Sequence, residues 1–232
     1  MKKVFLGSLI LLFLGCSKED SPKTSSALTD LDGNTYTAIT IGKQTWYKEN
    51  LDVSKYSDGT LIPEVTDPLE WSTLTTGAWC YYDNDTSTGE LFGKLYNWYA
   101  VAGIFDAASL NNASLRKKLA PKGCHIPSDA EWTSLSNELG SNAGGKMKEE
   151  GTENWADTDS NVTNSSKFTG LPSGICINNG GFYFLSLHGY WWSSTSRDPS
   201  TSWNRSLNYN SNVVCRSYDN IKYGMSVRFV KD

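Results

Sequence analysis

The spacing of apolar positions along this chain changes three times. Val4 to Leu14 is an apolar run behind the basic Met1-Lys2-Lys3. It falls short of the roughly 20 residues that span a bilayer and has the length of a signal-peptide core. From Leu28 the pattern alternates in short segments: Tyr36 to Ile41 and Gln44 to Tyr47 read as hairpin arms about Gly42-Lys43, after a turn at Asp32-Gly33-Asn34. Helical spacing then appears twice. Leu95, Trp98, Tyr99 and Ala102 predict a helix near residues 94–104. Ser128 as N-cap with Glu131 three residues on predicts a capped helix start, followed by the face Trp132, Leu135 and Leu139 and a stop at Gly140. After Thr169 short strands return at 182–187, 190–194, 203–209, 213–217 and 223–230, punctuated by Gly, Asn, Asp or Pro. An N-terminal β-hairpin, two helices and an antiparallel C-terminal β-meander make an α+β fold, one domain over residues 28–232 with no internal repeat.

The leader ends in Leu12-Phe13-Leu14-Gly15-Cys16, which resembles a bacterial lipobox with Phe13 where Leu is commonest. The resemblance implies a signal peptide over residues 1–15 and a lipidated Cys16 as first residue of the mature protein, anchored in a membrane by its acyl chains. Residues 16–27 are polar and without periodicity, a flexible tether. Within it Ser17-Lys18-Glu19-Asp20 resembles the acidic export signal of Bacteroidetes surface lipoproteins, against the plainer alternative of a solvated charged linker. The expected location is the outer membrane, exposed on the cell surface.

Composition narrows the class. The 232 residues are 38% hydrophobic and 12% aromatic, which excludes disorder throughout. The net charge of −4 becomes more negative once Lys2 and Lys3 leave with the leader, and this excludes a basic nucleic-acid-binding face.

Candidate chemistry is sparse. Once Cys16 is lipidated, Cys80, Cys124, Cys176 and Cys215 remain, an even number compatible with disulfides in an oxidising compartment or with four reduced core thiols. Cys176 and Cys215, both in the strand-rich half, are the expected pair, and the spacings give no zinc pattern. His125 and His188 adjoin no nucleophile motif, so no catalytic residue is assigned. Asp83 and Asp85, with Asn84 between them and Glu90 beyond, are oxygen donors that could hold calcium or simply form a solvated turn. Otherwise no cofactor is indicated. Trp71, Trp155, Trp203, Tyr209 and Tyr218 lie near polar, Asn- and Ser-rich text and are candidates for stacking on sugars or contacting a protein, the alternative being that most fill the core.

Several motifs occur in order: Leu31-Asp32-Gly33-Asn34-Thr35-Tyr36, Trp46 with Glu49-Asn50-Leu51, residues 79–85 (WCYYDND), residues 95–100 (LYNWYA), residues 120–123 (APKG) with residues 125–132 (HIPSDAEW), residues 189–194 (GYWWSS) and Ser226-Val227-Arg228. Together they resemble the Fibrobacter succinogenes major paralogous domain, a family abundant in secreted and lipid-anchored proteins of Bacteroidetes and Fibrobacteres. The resemblance implies a C-type-lectin-like fold, shared distantly with formylglycine-generating enzymes. Cys124 stands where the family usually has Trp, Met225 where it has Phe, and Phe229 where it has Cys. A disulfide through that last position is therefore impossible here, and formylglycine-generating chemistry is not carried over. The function these features imply is a non-catalytic surface binding module for a glycan or an extracellular protein. A structural or adhesin-type envelope lipoprotein and a cryptic enzyme are the alternatives.

Overall fold

The computed structural model describes Met1, residues 27–156 and residues 161–232. Cys16, Ser17, Lys18, Glu19 and Asp20 lie outside the described residues, as do the rest of the tether up to residue 26 and the leader beyond Met1. The described elements, in chain order, are β1 (Leu28–Thr29), β2 (Thr35–Tyr36), β3 (Ala38–Ile41), β4 (Gln44–Tyr47), α1 (Pro68–Thr73), β5 (Trp79–Cys80), α2 (Thr86–Phe92), β6 (Leu95–Tyr96), α3 (Trp98–Val101), α4 (Ala107–Asn111), β7 (Cys124–His125), α5 (Asp129–Leu139), α6 (Ala143–Met147), β8 (Ser173–Cys176), β9 (Phe182–Leu185), β10 (His188–Ser196), β11 (Thr201–Asn208), β12 (Ser211–Asn220) and β13 (Val230–Lys231). The fold is α+β, with most regular structure in antiparallel sheet.

Two sheets dominate. One has the order β3-β4-β13-β7, so the C-terminal strand lies between the N-terminal hairpin and β7, with Val230 opposite both Trp46 and His125. The other has the order β12-β11-β10-β8-β9 and holds the long strands of the meander. One pairing there departs from the antiparallel expectation: β8 runs parallel to β10, Gly189 opposite Gly174. A Cβ at Gly189 would lie 2.4 Å from the Leu171 carbonyl oxygen, so this close approach requires glycine.

Helix α5 begins as its sequence dictates. Ser128 Oγ accepts from the Glu131 amide at 3.2 Å, and Glu131 Oε2 accepts from the Ser128 amide at 2.8 Å. Two orphan donors of the first turn are thereby satisfied, and Gly140 (φ 66°) ends the helix. The segment 94–104 differs from expectation. Leu95–Tyr96 pairs with β5, and Asn97 caps the single turn Trp98–Val101. The helical spacing there reflects burial of Leu95, Trp98 and Tyr99 in a strand followed by a turn. Residues 223–230 are likewise not one strand. Gly224, Met225 and Ser226 bridge to Cys176, Tyr96 and Trp191 in turn, because this segment threads a seam between different elements.

The motifs at 46–51, 189–194 and 226–228 converge on one buried polar hub. Asn50 Oδ1 accepts from Trp191 Nε1 at 2.9 Å and Arg228 Nε at 2.7 Å, while its Nδ2 donates to the Phe92 carbonyl at 2.8 Å. The Arg228 guanidinium, fully buried, also donates to the carbonyls of Tyr47, Lys48, Phe168 and Thr169 and lies over the Phe168 ring. Around the hub, Trp46, Trp132, Trp155, Phe168 and Trp191 pack α5 onto the sheet. A larger cluster, with Tyr36, Tyr47, Trp98, Trp192 and Phe229, fills the other side.

Candidate functional site

Side chains alternate across a strand, so the register of β10, β11 and β12 assigns each to a face. Trp191, Arg205 and Arg216 are opposite one another, as are Trp203 and Tyr218. This face meets α5. Arg205 Nη1 reaches Asp129 Oδ1 at 2.7 Å, and Arg216 grips the same carboxylate through Nε at 3.0 Å and Nη2 at 2.9 Å. Burial alone would raise the Asp129 pKa, but the two guanidinium groups outweigh it and hold the carboxyl below its ordinary range. The Arg216 guanidinium lies 3.4 Å from the centre of the Trp203 ring and that of Arg197 lies 3.6 Å from the Tyr218 ring. Trp203 and Tyr218 meet edge to face at 5.7 Å. The aromatic faces of this ladder are thus occupied by arginines, of which Arg216 also secures the start of α5.

The opposite face carries Tyr190, Ser206 and Cys215 in one register row and Asn204 and Ser217 in the next. Asn204 Nδ2 donates to Asp219 Oδ2 at 2.8 Å. Asn204 is fully buried and its Oδ1 has no hydrogen-bond partner. Burial raises the Asp219 pKa against the lowering effect of the Asn204 bond. Tyr190 is pushed up to about 12 by burial and then by the charge of Asp219, and Tyr223 is raised for the same two reasons.

An aromatic cluster borders this pair. His188 stacks on Tyr190 with ring centres 5.5 Å apart, and the Tyr190 hydroxyl meets His188 Nδ1 at 3.1 Å. Phe184 packs on His188 at 4.9 Å and lies 6.1 Å from Tyr183. Burial lowers the His188 pKa and favours its neutral form. Tyr183 and Phe184 remain 48% and 45% exposed, so the core does not account for their placement. Phe184 (φ 67°) and Ser186 (φ 63°) both occupy the left-handed region, at a cost on the order of 1 kcal/mol each. The backbone is thus strained where it holds an aromatic ring out to solvent.

The structure corrects several expected site residues. Trp71 and Trp155 are buried, and their indole N–H groups donate to the carbonyls of Lys222 and Gly170 at 2.9 Å and 3.1 Å. Polar text surrounds them in sequence, whereas in space each indole packs in the core with its one donor satisfied. Tyr209 is half-buried against the α5 side of the core. Asp83, Asp85 and Glu90 do not converge: no group of three or more His, Cys, Asp or Glu among the described residues is arranged to hold a metal ion. Asp85 instead caps α2 by accepting from the Ser87 amide at 2.8 Å, and Asp83 and Asn84 form the preceding turn with positive φ. Glu90 borders a cleft of 280 Å³ shared with Glu49 and Asp52, where Lys94 Nζ already engages Asp52 Oδ1 at 2.8 Å.

The cysteines among the described residues are free: Cys80, Cys124 and Cys176 buried, Cys215 exposed. The expected Cys176–Cys215 pair is excluded by topology. β8 and β12 are separated by β10 and β11, three strand spacings of roughly 4.8 Å each, well beyond the approximately 7 Å limit between Cα atoms of a disulfide. Cys80 instead neighbours Cys176, and burial followed by that contact raises its pKa. His125 is held between carboxylates, Nε2 at 2.7 Å from Glu131 Oε1 and Nδ1 at 2.8 Å from Asp232 Oδ1. Both ring nitrogens are engaged, and the nearby Ser128 hydroxyl is spent on Glu131 at 2.7 Å. The group clasps β7, the start of α5 and the chain end together.

Sequence reasoning missed Phe184, Asn204 and Asp219. The available signal was the alternation of polar residues at 204, 206 and 208 and at 215, 217 and 219, which marks one strand face as polar.

The family model of the Fibrobacter succinogenes major domain matches residues 39–231. No curated protein matches the chain, and no solved structure does.

Proposed function

The chain belongs to the Fibrobacter succinogenes major domain family, and on that premise we propose that it is a non-catalytic, lipid-anchored module that binds a glycan outside the cell through the C-terminal sheet. The observation that carries this reading is the Phe184–His188–Tyr190 ring cluster, with Phe184 exposed on strained backbone and His188 and Tyr190 half-buried, beside the Asn204–Asp219 pair. Sugar rings offer apolar C–H faces to aromatic rings and hydroxyls to carboxylate and amide groups, and this face supplies both partners. The anchor at Cys16 and the export signal Ser17-Lys18-Glu19-Asp20 belong to the same proposal and place the module on the outer membrane facing outward. Among the described residues no helix is long and apolar enough to cross a membrane, and the attachment proposed is the lipid on Cys16. A C-type-lectin-like architecture, with the terminal strand closing the N-terminal sheet, is the fold proposed with it.

A printed glycan array probed with the mature chain tests the reading. The native protein gives glycan signals, and Phe184→Ala loses them at least tenfold without a change in melting temperature. A blank array, together with envelope proteins copurifying equally with both forms, would establish the structural lipoprotein instead.

A further inference from the structure

We infer that the polar-aromatic face is selective for charge: it accepts neutral sugars and amino sugars and rejects uronate, sialate and sulfated ones, with Asp219 as the discriminating residue. This rests on the glycan reading above and adds the ligand class.

Charge on this face is one-sided. Of the side chains that β10, β11 and β12 direct to it, at positions 188, 190, 192, 202, 204, 206, 208, 211, 213, 215, 217 and 219, Asp219 is the single acid and none is Lys or Arg. His188, the remaining titratable base, is driven toward neutrality by burial. Nearby cations are committed elsewhere. Arg197 and Arg216 lie on the opposite face, stacked on Tyr218 and Trp203, and Arg216 is also bound to Asp129. Lys222 Nζ donates to the Ser72 carbonyl at 2.6 Å. Lys148 Nζ donates to the carbonyls of Asn208, Tyr209 and Ser211 beneath the β11–β12 turn. An acidic ligand would therefore meet a poorly solvated carboxylate and no counter-charge, and like charges in a partly desolvated site repel strongly.

Asp219 is also short of donors. Its side-chain partner is the Asn204 amide on Oδ2, which leaves Oδ1 open, and Asn204 turns no donor toward it beyond that one. Asn204 is fully buried, so the half-buried Asp219 carboxylate is the acceptor a ligand reaches, and a ligand rich in hydrogen-bond donors is what it lacks. Hydroxyl groups supply donors without charge, and an ammonium supplies three with the complementary charge.

The test is an array of neutral, amino-sugar and uronate- or sialate-bearing oligosaccharides probed with the mature native chain, Phe184→Ala, Asp219→Asn and Ser217→Lys. The native chain should bind neutral and amino sugars at least tenfold above acidic ones. Asp219→Asn keeps the shape, removes the charge, and should raise acidic-sugar signals about tenfold while lowering amino-sugar signals. Ser217→Lys places a cation at an exposed position opposite Asn204 and should raise acidic-sugar signals even if Asp219→Asn proves unstable. Native binding to acidic and neutral sugars alike, lost in Phe184→Ala, would overturn the charge selectivity and leave the glycan reading standing. An unchanged profile in both charge variants would do the same, whereas a blank array overturns both.

Discussion

Replacing Arg228 by Met removes the guanidinium while keeping much of the aliphatic volume, and the structure decides the sign of the effect. Against the side chain stands the cost of burying a charge that no carboxylate contacts; burial lowers its pKa to about 9 against a raising influence from Glu49. In its favour stand the carbonyls of Tyr47, Lys48, Phe168 and Thr169, all of which lose this donor in the Met variant. Asn50 Oδ1 is spared because Trp191 still donates to it. A buried acceptor left without its donor costs about 1–3 kcal/mol, so the buried Tyr47 and Phe168 carbonyls, with the part-buried Lys48 and Thr169 carbonyls beside them, outweigh the desolvation relieved, and the net loss should be about 3–5 kcal/mol. Urea unfolding followed by tryptophan fluorescence measures this. With a slope of about 2–3 kcal/mol/M the midpoint should fall by about 1.5 M at unchanged slope. Arg228→Lys, with one point donor instead of a fork, should fall between the two. A Met variant as stable as the native protein would refute the argument, because it would mean that burying the guanidinium costs as much as its bonds return.

Two smaller perturbations follow from the α5 start. Ser128→Ala breaks the capping box and should cost about 1 kcal/mol, read as a lower denaturation midpoint; no resolvable change would count against the cap. The His125 clasp should respond to pH. Burial alone would lower the His125 pKa, but Glu131 and Asp232 outweigh it and raise it, so its stabilisation is complete below the ordinary value of 6.5 and is lost as pH rises through the raised one. Burial alone would raise Glu131, but its bonds to Ser128 and His125 lower it, so its contribution is present above 4.5 and is lost as pH falls through the lowered value. Melting temperatures across pH 6 to 9, compared with His125→Gln, should show a decline in the native protein that the variant lacks.

Helix α5 and the β3–β4 hairpin were legible because their determinants are local: a cap with its reciprocal glutamate, a terminal glycine, a two-residue turn. Residues 94–104 misled because a buried two-residue strand and a one-turn helix together mimic helical spacing. Trp71 and Trp155 misled because proximity to polar text says nothing of where an indole points. The candidate site was the least legible part. Phe184, Asn204 and Asp219 come from three strands, and the register that brings Asn204 to Asp219 is a property of the β11–β12 pairing. The resemblance motifs, in contrast, proved to be scaffold: Asn50, Trp191, Ser226 and Arg228 meet in the interior.

The insertion of β13 between β4 and β7 sets the timetable of folding. The N-terminal hairpin cannot acquire its sheet neighbour until residue 230 has been synthesised, and the seam at 224–226 that ties Cys176, Tyr96 and Trp191 together also arrives late. Contacts of such long sequence separation form slowly, so closure of this sheet should come late, after the local β10–β11–β12 pairings. Until its last strand arrives, β4 and β7 are not joined, and the N-terminal sheet stays open at the place β13 will fill.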